Sequence, residues 1–246
     1  MWKKFQRWRR GAILIVISFG LLMMDGPSRA QVASIKGPVA ENLLSGRTIV
    51  IDPGHGGYDP GAIGRYSREA DINLAIALKL RRWFQLAGAR VVMTWSSPGQ
   101  IPPHRKYRVH KRIQWINRTH GSVLVDIHCN AGMGAWGPQV FYWNETSSRL
   151  LADNVAQELW YFTHTHRSVT QINQFVLRHA TMPAINVEVG FLSNHREERQ
   201  LLDPQYQKAL AWYIFTGTGR WFLKARWPIQ LLKVPPPTEA VLFHRP

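Results

Sequence analysis

The sequence predicts an α/β protein whose sheet is covered by helices on both faces, and three observations carry that expectation. Short β-branched runs alternate along the chain with segments of helical period, the pattern of strands buried between helices. The 246 residues, 45% of them hydrophobic, suffice for one domain with a sizeable core and argue against wholesale disorder. The single cysteine, Cys129, leaves no intramolecular disulfide, which a core this large does not need.

After a polar lead-in over residues 31–46, Thr48-Ile-Val-Ile-Asp52 reads as a buried strand ending in a Gly/Pro-rich loop. Glu69 opens a helix to Ala87, with Ile72, Ile76, Leu80, Trp83 and Ala87 at helical spacing and Gly88 placed to close it. Arg90–Thr94 is a second strand, Arg105–Arg118 a basic helix, Ser122–His128 a third strand and Gln139–Trp143 a fourth. Leu151, Val155, Leu159 and Phe162 mark a further helix, with Ser147 or Ser148 as its expected cap. Pro183–Val189 is a fifth strand. A final helix is expected over Pro204–Ala225, weakened by Gly217 and Gly219, before a Pro-rich tail over residues 228–246.

Charge is lopsided, with 31 Lys and Arg against 15 Asp and Glu, a net +16. Lys3, Lys4, Arg7, Arg9, Arg10 and Arg29 against Asp25 supply +5 of it, leaving +11 on the rest. Such a surface wants an anionic neighbour: nucleic acid, an acidic membrane face or an anionic wall polymer. The first thirty residues narrow the choice. A basic start, the apolar run Ala12–Met24, Pro27 and the small residues Ser28 and Ala30 have the layout of a secretory signal. That run is short of the roughly 20 residues a relaxed spanning helix requires. Whether it is cleaved or kept as an anchor in the cytoplasmic membrane, the remainder is expected outside the cytoplasm, so no nucleic-acid partner is expected.

Three segments concentrate unusual residues near the ends of strands, the edge where open α/β sheets build their sites. They are Asp52-Pro-Gly-His-Gly-Gly-Tyr-Asp-Pro-Gly-Ala-Ile-Gly64, His128-Cys-Asn-Ala131 and Glu188-Val-Gly-Phe-Leu-Ser-Asn194. A hydrolytic zinc takes three N or O ligands and keeps a position for water. His55 and His128 supply imidazoles and Glu69 a carboxylate, so one zinc ion per chain is expected. Glu188, a carboxylate in an otherwise mostly apolar strand, is the candidate to move the water's proton. Each residue alone has an ordinary explanation: a turn, a satisfied core histidine, a first-turn helix carboxylate. Their joint occurrence in this order is what carries the chemistry.

The set Ile-Asp-Pro-Gly-His-Gly-Gly, Glu69, Ile-His-Cys-Asn-Ala and Val-Glu-Val-Gly-Phe-Leu-Ser-Asn resembles the zinc-dependent N-acetylmuramoyl-L-alanine amidases, called amidase type 3. The resemblance spans residues 48 to about 215. It implies a mixed, mainly parallel sheet of about six strands, a catalytic domain over residues 47–227, zinc on His55, Glu69 and His128, and Glu188 as catalytic carboxylate. It also implies peptidoglycan as substrate, cut between muramic acid and the first L-alanine of the stem. The short chain, the absence of wall-binding repeats and the Trp136-Gly-Pro-Gln-Val-Phe-Tyr stretch are similar to spore-cortex members, which prepare muramic-δ-lactam. An accessory protein partner is left open. Asn130, Arg105, Arg112 and Trp136 are the candidate substrate contacts. Two departures stand out: Asp126 where Ser is common, and Asn186 where an apolar residue is usual. Asp126 shares a strand face with His128 and either orients it or pairs with an arginine. The competing readings are a non-catalytic wall- or membrane-surface-binding protein and a zinc peptidase acting on another wall amide.

Overall fold

The computed structural model describes residues 42–98, 108–132, 134–143, 145–165 and 167–224. The expected export signal, Arg105 and the Pro-rich tail lie outside these residues. Within them the order is β1 (Thr48–Pro53), α1 (Glu69–Leu86), β2 (Arg90–Met93), α2 (Arg108–Arg118), β3 (Val123–Asn130) and β4 (Gln139–Tyr142). Then come α3 (Thr146–Thr163), β5 (Thr170–Gln171), α4 (Phe175–His179), β6 (Ala184–Phe191), α5 (His195–Leu202) and α6 (Pro204–Leu223). The expected strands and long helices are present to within a few residues. The short elements β5, α4 and α5 carry too few residues for a period to show.

The strands form one six-stranded sheet in the order β2-β1-β3-β6-β4-β5. All neighbours are parallel except β4 and β6, which run antiparallel. Alternation along the strands sorts side chains to two faces. Ile49, Ile51, Val123, Val125, Ile127, Ile185 and Val187 pack with α1, α3 and α6 in the larger core. Val50, Leu124 and Ala184 pack beneath Ile113 and Ile116 of α2 and Val176 and Leu177 of α4. On that second face the next residues along three adjacent strands are Asp52, Asp126 and Asn186. They lie side by side in register, none more than 1% exposed. One step further come His128 and Glu188, also paired. The sheet therefore turns from apolar to polar toward its carboxyl edge.

Three sequence expectations are revised. The cap of α3 is Glu145, whose carboxylate accepts from the backbone N–H of Ser147 and Ser148, because its reach covers both orphan donors. Ser148 instead is buried, its hydroxyl donating to Glu145 and accepting from the N–H of Ala184. Gly217 does not weaken α6 but allows its close crossing with α3: a Cβ there would lie 2.6 Å from the Cα of Val155. Finally, the polar lead-in ends in the turn at 42–46, where Leu44 is a core residue tied to the α1 terminus through the Ala87 carbonyl.

Candidate metal centre and active site

The loop between β1 and α1 is built to hold two side chains together. No side chain caps α1; the carbonyls of Ala62 and Pro60 accept from the N–H groups of Glu69 and Ala70 instead. The loop thereby closes onto the helix, and the Glu69 carboxylate is free to turn toward His55 and His128. His55 sits at φ 63, the left-handed region rarely used by residues with a side chain. Its ring is held there by Asp59 on one nitrogen, Nδ1 at 3.2 Å, and Glu69 on the other, Nε2 at 3.1 Å. Such strain at a non-glycine residue points to a local function.

His128 approaches from β3. Its Nδ1 lies 2.8 Å from Glu69 Oε1, and its Nε2 lies 3.4 Å from Asp126 Oδ1. The Glu69 carboxylate thus stands between two imidazoles whose centroids are 5.0 Å apart. Glu69 also accepts from the N–H of Ala62 and of Cys129 and from Asn73. Two glycines make this approach feasible. A Cβ on Gly54 would lie 2.2 Å from the His128 ring, and one on Gly61 would lie 2.5 Å from Glu69 and 2.6 Å from His55. One donor atom each from His55, Glu69 and His128 fall within 4.8 Å of one another. Two nitrogens and one carboxylate oxygen, converging through glycine gaps, fit a zinc ion with a position left for water.

Electrostatics of the metal-free centre follow from this packing. Burial alone would raise Glu69, but its hydrogen bonds with His128 and His55 hold it well below the ordinary carboxylate range. Burial would lower His128, yet Asp126 and Glu69 lift it well above the usual histidine value. Against the same opposing burial, Glu69 raises His55. Glu188, paired in register with His128, behaves differently. Burial pushes its carboxyl up to about 7, and among the described residues only the Asn186 amide, at 3.4 Å from Oε1, hydrogen-bonds it. Its Oε2 is buried without a hydrogen bond. A carboxylate poised near neutrality beside candidate metal ligands has the properties of a general base.

The remaining candidates divide. Arg112 reaches inward: Nη2 donates to the His55 carbonyl at 2.8 Å and Nε lies 3.5 Å from Asp52. It therefore braces the His55 loop against β1. Asn130 follows a register shift between β3 and β6 and accepts from the N–H of Ala131. Trp136 is 56% exposed, and its carbonyl is held by Arg167.

Several residues escaped the sequence reading. Asn73, one helical turn beyond Glu69 on the core face, bridges Glu69 and the Gly54 carbonyl. Its polarity at a core-facing position was an available signal. Asp52 is buried at the β1 end, raised to about 6 by burial and Asp126 against the pull of Arg112. Glu197 accepts from the N–H of Gly137 and Phe191, and Glu198 from the N–H of Tyr66 and the hydroxyl of Ser67. These two consecutive residues of α5 brace the loops on either side of the site, a role with no local signature.

A mixed α/β sheet carrying a two-histidine, one-carboxylate cluster at its carboxyl edge, with a raised carboxyl beside it, is an arrangement suited to a hydrolase. The chain belongs to the N-acetylmuramoyl-L-alanine amidase family Amidase_3, which matches residues 49–219. It is 34% identical over 194 residues to the germination-specific N-acetylmuramoyl-L-alanine amidase of Bacillus subtilis, spanning 73% of this chain and 81% of that one. The CwlD amidase from Clostridioides difficile, solved in complex with the GerS lipoprotein, superposes with a TM-score of 0.67 at 29% identity, covering 72% of this chain and 99% of that one. An N-acetylmuramoyl-L-alanine amidase from Clostridium difficile 630 gives 0.65 at 32% identity, covering 72% and 96%. The resemblance to N-acetylmuramoyl-L-alanine amidases, the CwlD amidase among them, is thus borne out, and the protein is an enzyme acting on peptidoglycan.

Proposed function

We propose that the protein is a zinc-dependent amidase that hydrolyses the bond between the lactyl group of N-acetylmuramic acid and L-alanine, in maturation of spore cortex. The convergence of His55, Glu69 and His128 within 4.8 Å, beside a Glu188 raised to about 7, carries this reading. These three residues would hold zinc, which when bound polarises the amide carbonyl and acidifies water. Glu188 takes a proton from the attacking water at Oε2, the oxygen without a hydrogen bond. Water oxygen bonds to the lactyl carbonyl carbon, the C–N bond breaks, and Glu188 returns the proton to the alanine nitrogen. The products are a free lactyl carboxylic acid and the free amine of the stem. Asn186 steadies the other Glu188 oxygen throughout. Asn130 and Trp136 are proposed to touch the substrate.

Cell-wall relatives support action outside the cytoplasm. Residues 1–30 are proposed as the export signal or anchor, and residues 47–227 as the catalytic domain. The cortex role rests on the Bacillus subtilis relative's germination-specific name, and an accessory protein is proposed because the Clostridioides difficile relative was solved with a lipoprotein. Purified protein incubated with peptidoglycan should release the whole stem from muramic acid, as read by mass spectrometry. It should carry one zinc per chain, lose activity with chelator and regain it with zinc. Metal-replete, folded protein that never frees a stem peptide defeats the proposal. Spores lacking the protein should lack muramic-δ-lactam; unchanged cortex would remove the cortex assignment alone.

A further inference from the structure

A buried polar row underlies the site. Asp52, Asp126 and Asn186 stand in register on three adjacent strands, and each has an oxygen without a hydrogen bond in the interior: Asp52 Oδ2, Asp126 Oδ1 and Asn186 Oδ1. A buried, unsatisfied carboxylate oxygen is costly, so its nearest cation or donor matters. Arg112 turns to Asp52, and its other bond goes to the His55 carbonyl. Asn186 turns to Gln174 and Glu188. For Asp126 Oδ1, the basic group within reach among the described residues is His128 Nε2, at 3.4 Å. At that distance the contact is an ion pair rather than a formed hydrogen bond, and a small ring adjustment closes it.

We propose that Asp126 is a positioning residue that keeps the proton of His128 on Nε2 and so presents Nδ1 to the centre shared with His55 and Glu69. The geometry carries this. Asp126 and His128 are two residues apart on one strand and share a face, so the carboxylate cannot drift from the ring. The ring cannot flip either, because Gly54 packs against it so tightly that a Cβ would lie 2.2–2.5 Å from three of its atoms. Both ring nitrogens of His128 face a carboxylate, but Glu69, 2.8 Å from Nδ1, is shared with His55 and with the metal the centre would hold. The proton of the neutral ring therefore goes to Nε2 and Asp126, which leaves Nδ1 its lone pair. His55 has the same arrangement with Asp59, yet Asp59 is 37% exposed and Asp126 only 1%. Solvent reaches the carboxylate at His55, whereas burial shields the one at His128.

The proposal rests on the zinc-centre reading, and its test separates the two. Full-length wild type, Asp126→Ala and Asp126→Asn are titrated with zinc against a chromophoric chelator, and the zinc-loaded, ¹⁵N-histidine-labelled proteins are compared by NMR. Wild type should show His128 with a slowly exchanging proton on Nε2 and metal on Nδ1. Asp126→Ala should bind zinc about 10- to 100-fold more weakly and lose protection of that proton. Asp126→Asn, which preserves volume and an accepting oxygen, should fall between. An Asp126→Ala protein that folds, binds zinc within about threefold of wild type and keeps the same His128 proton overturns the proposal. If alanine prevents folding, Asp126→Asn decides on the same two readouts. Wild type that takes up no zinc refutes the metal centre instead.

Discussion

The two halves of the site are held by different means. His55 stands on a loop at a left-handed backbone angle, its second nitrogen against the half-exposed Asp59 and its carbonyl tethered by Arg112. His128 and Glu188 stand opposite each other on neighbouring strands, above the buried pair Asp126 and Asn186. In the loop half, position depends on a few hydrogen bonds that can lengthen and reform. In the strand half it depends on a register that cannot change without turning every side chain to the other face. On the proposed mechanism the difference would divide the tasks, the loop side being the one that can adjust to substrate and the strands keeping His128 and Glu188 at fixed separation.

The strongest way to break this comparison is Glu188→Gln. Amidase kcat should fall about 10²- to 10⁴-fold with zinc content unchanged, measured on muropeptides and by metal analysis. Loss of zinc as well would make Glu188 part of the centre's support rather than its base. Next in size is Gly54→Ala, which drives a Cβ into the His128 ring and should cost about 100-fold in kcat/KM with weaker zinc binding. Gly61→Ala, at φ 67, presses on both the Glu69 carboxylate and the His55 ring and should cost less only insofar as the loop can move aside. Equal losses would show the halves to be equally stiff.

Proton competition sharpens the same contrast. Both histidines are raised, His55 by Glu69 and His128 by Asp126 and Glu69, in each case against burial. A raised folded value stabilises the metal-free fold below the unfolded histidine value of 6.5, and that stabilisation is lost as pH rises through the folded values. Zinc requires the neutral rings, so its affinity should move oppositely, weakening about tenfold per pH unit for each proton displaced as pH falls. Calorimetric zinc titrations in buffers of different ionisation enthalpy measure that proton release, and histidine NMR of the zinc-free protein should find both His55 and His128 titrating above 6.5. The smallest effect is expected from Asp59→Asn: an exposed carboxylate is screened, so zinc affinity should change by about threefold or less. A loss matching that of Asp126→Ala would erase the distinction between the halves.

Much of this was legible from local pattern. The β-branched runs and the four-residue steps from Ile72 to Leu80 gave the main elements, since burial in one layer imposes one period. His55, Glu69, His128 and Glu188 stood out as a set, because each alone has an ordinary use and only their joint order matched a metal-binding pattern. Asn186 and Asp126 were visible as anomalies, but whether Asp126 faced a histidine or an arginine was open. The capping of α3 was misread because Glu145 and Ser148 are equally plausible acceptors until Ser148 is seen to be buried under Ala184.

By itself, then, the chain's order of residues determined the main strands and helices and singled out the candidate side chains for chemistry, because both follow from neighbours a few positions apart. Tertiary structure alone decided that Asp52, Asp126 and Asn186 form one row, that Arg112 serves Asp52 and the His55 loop, and that Glu197 and Glu198 brace loops far away in sequence. Those contacts depend on strand order, with β6 inserted between β3 and β4. Strand order is chosen by the packing of whole layers, and no local period records it.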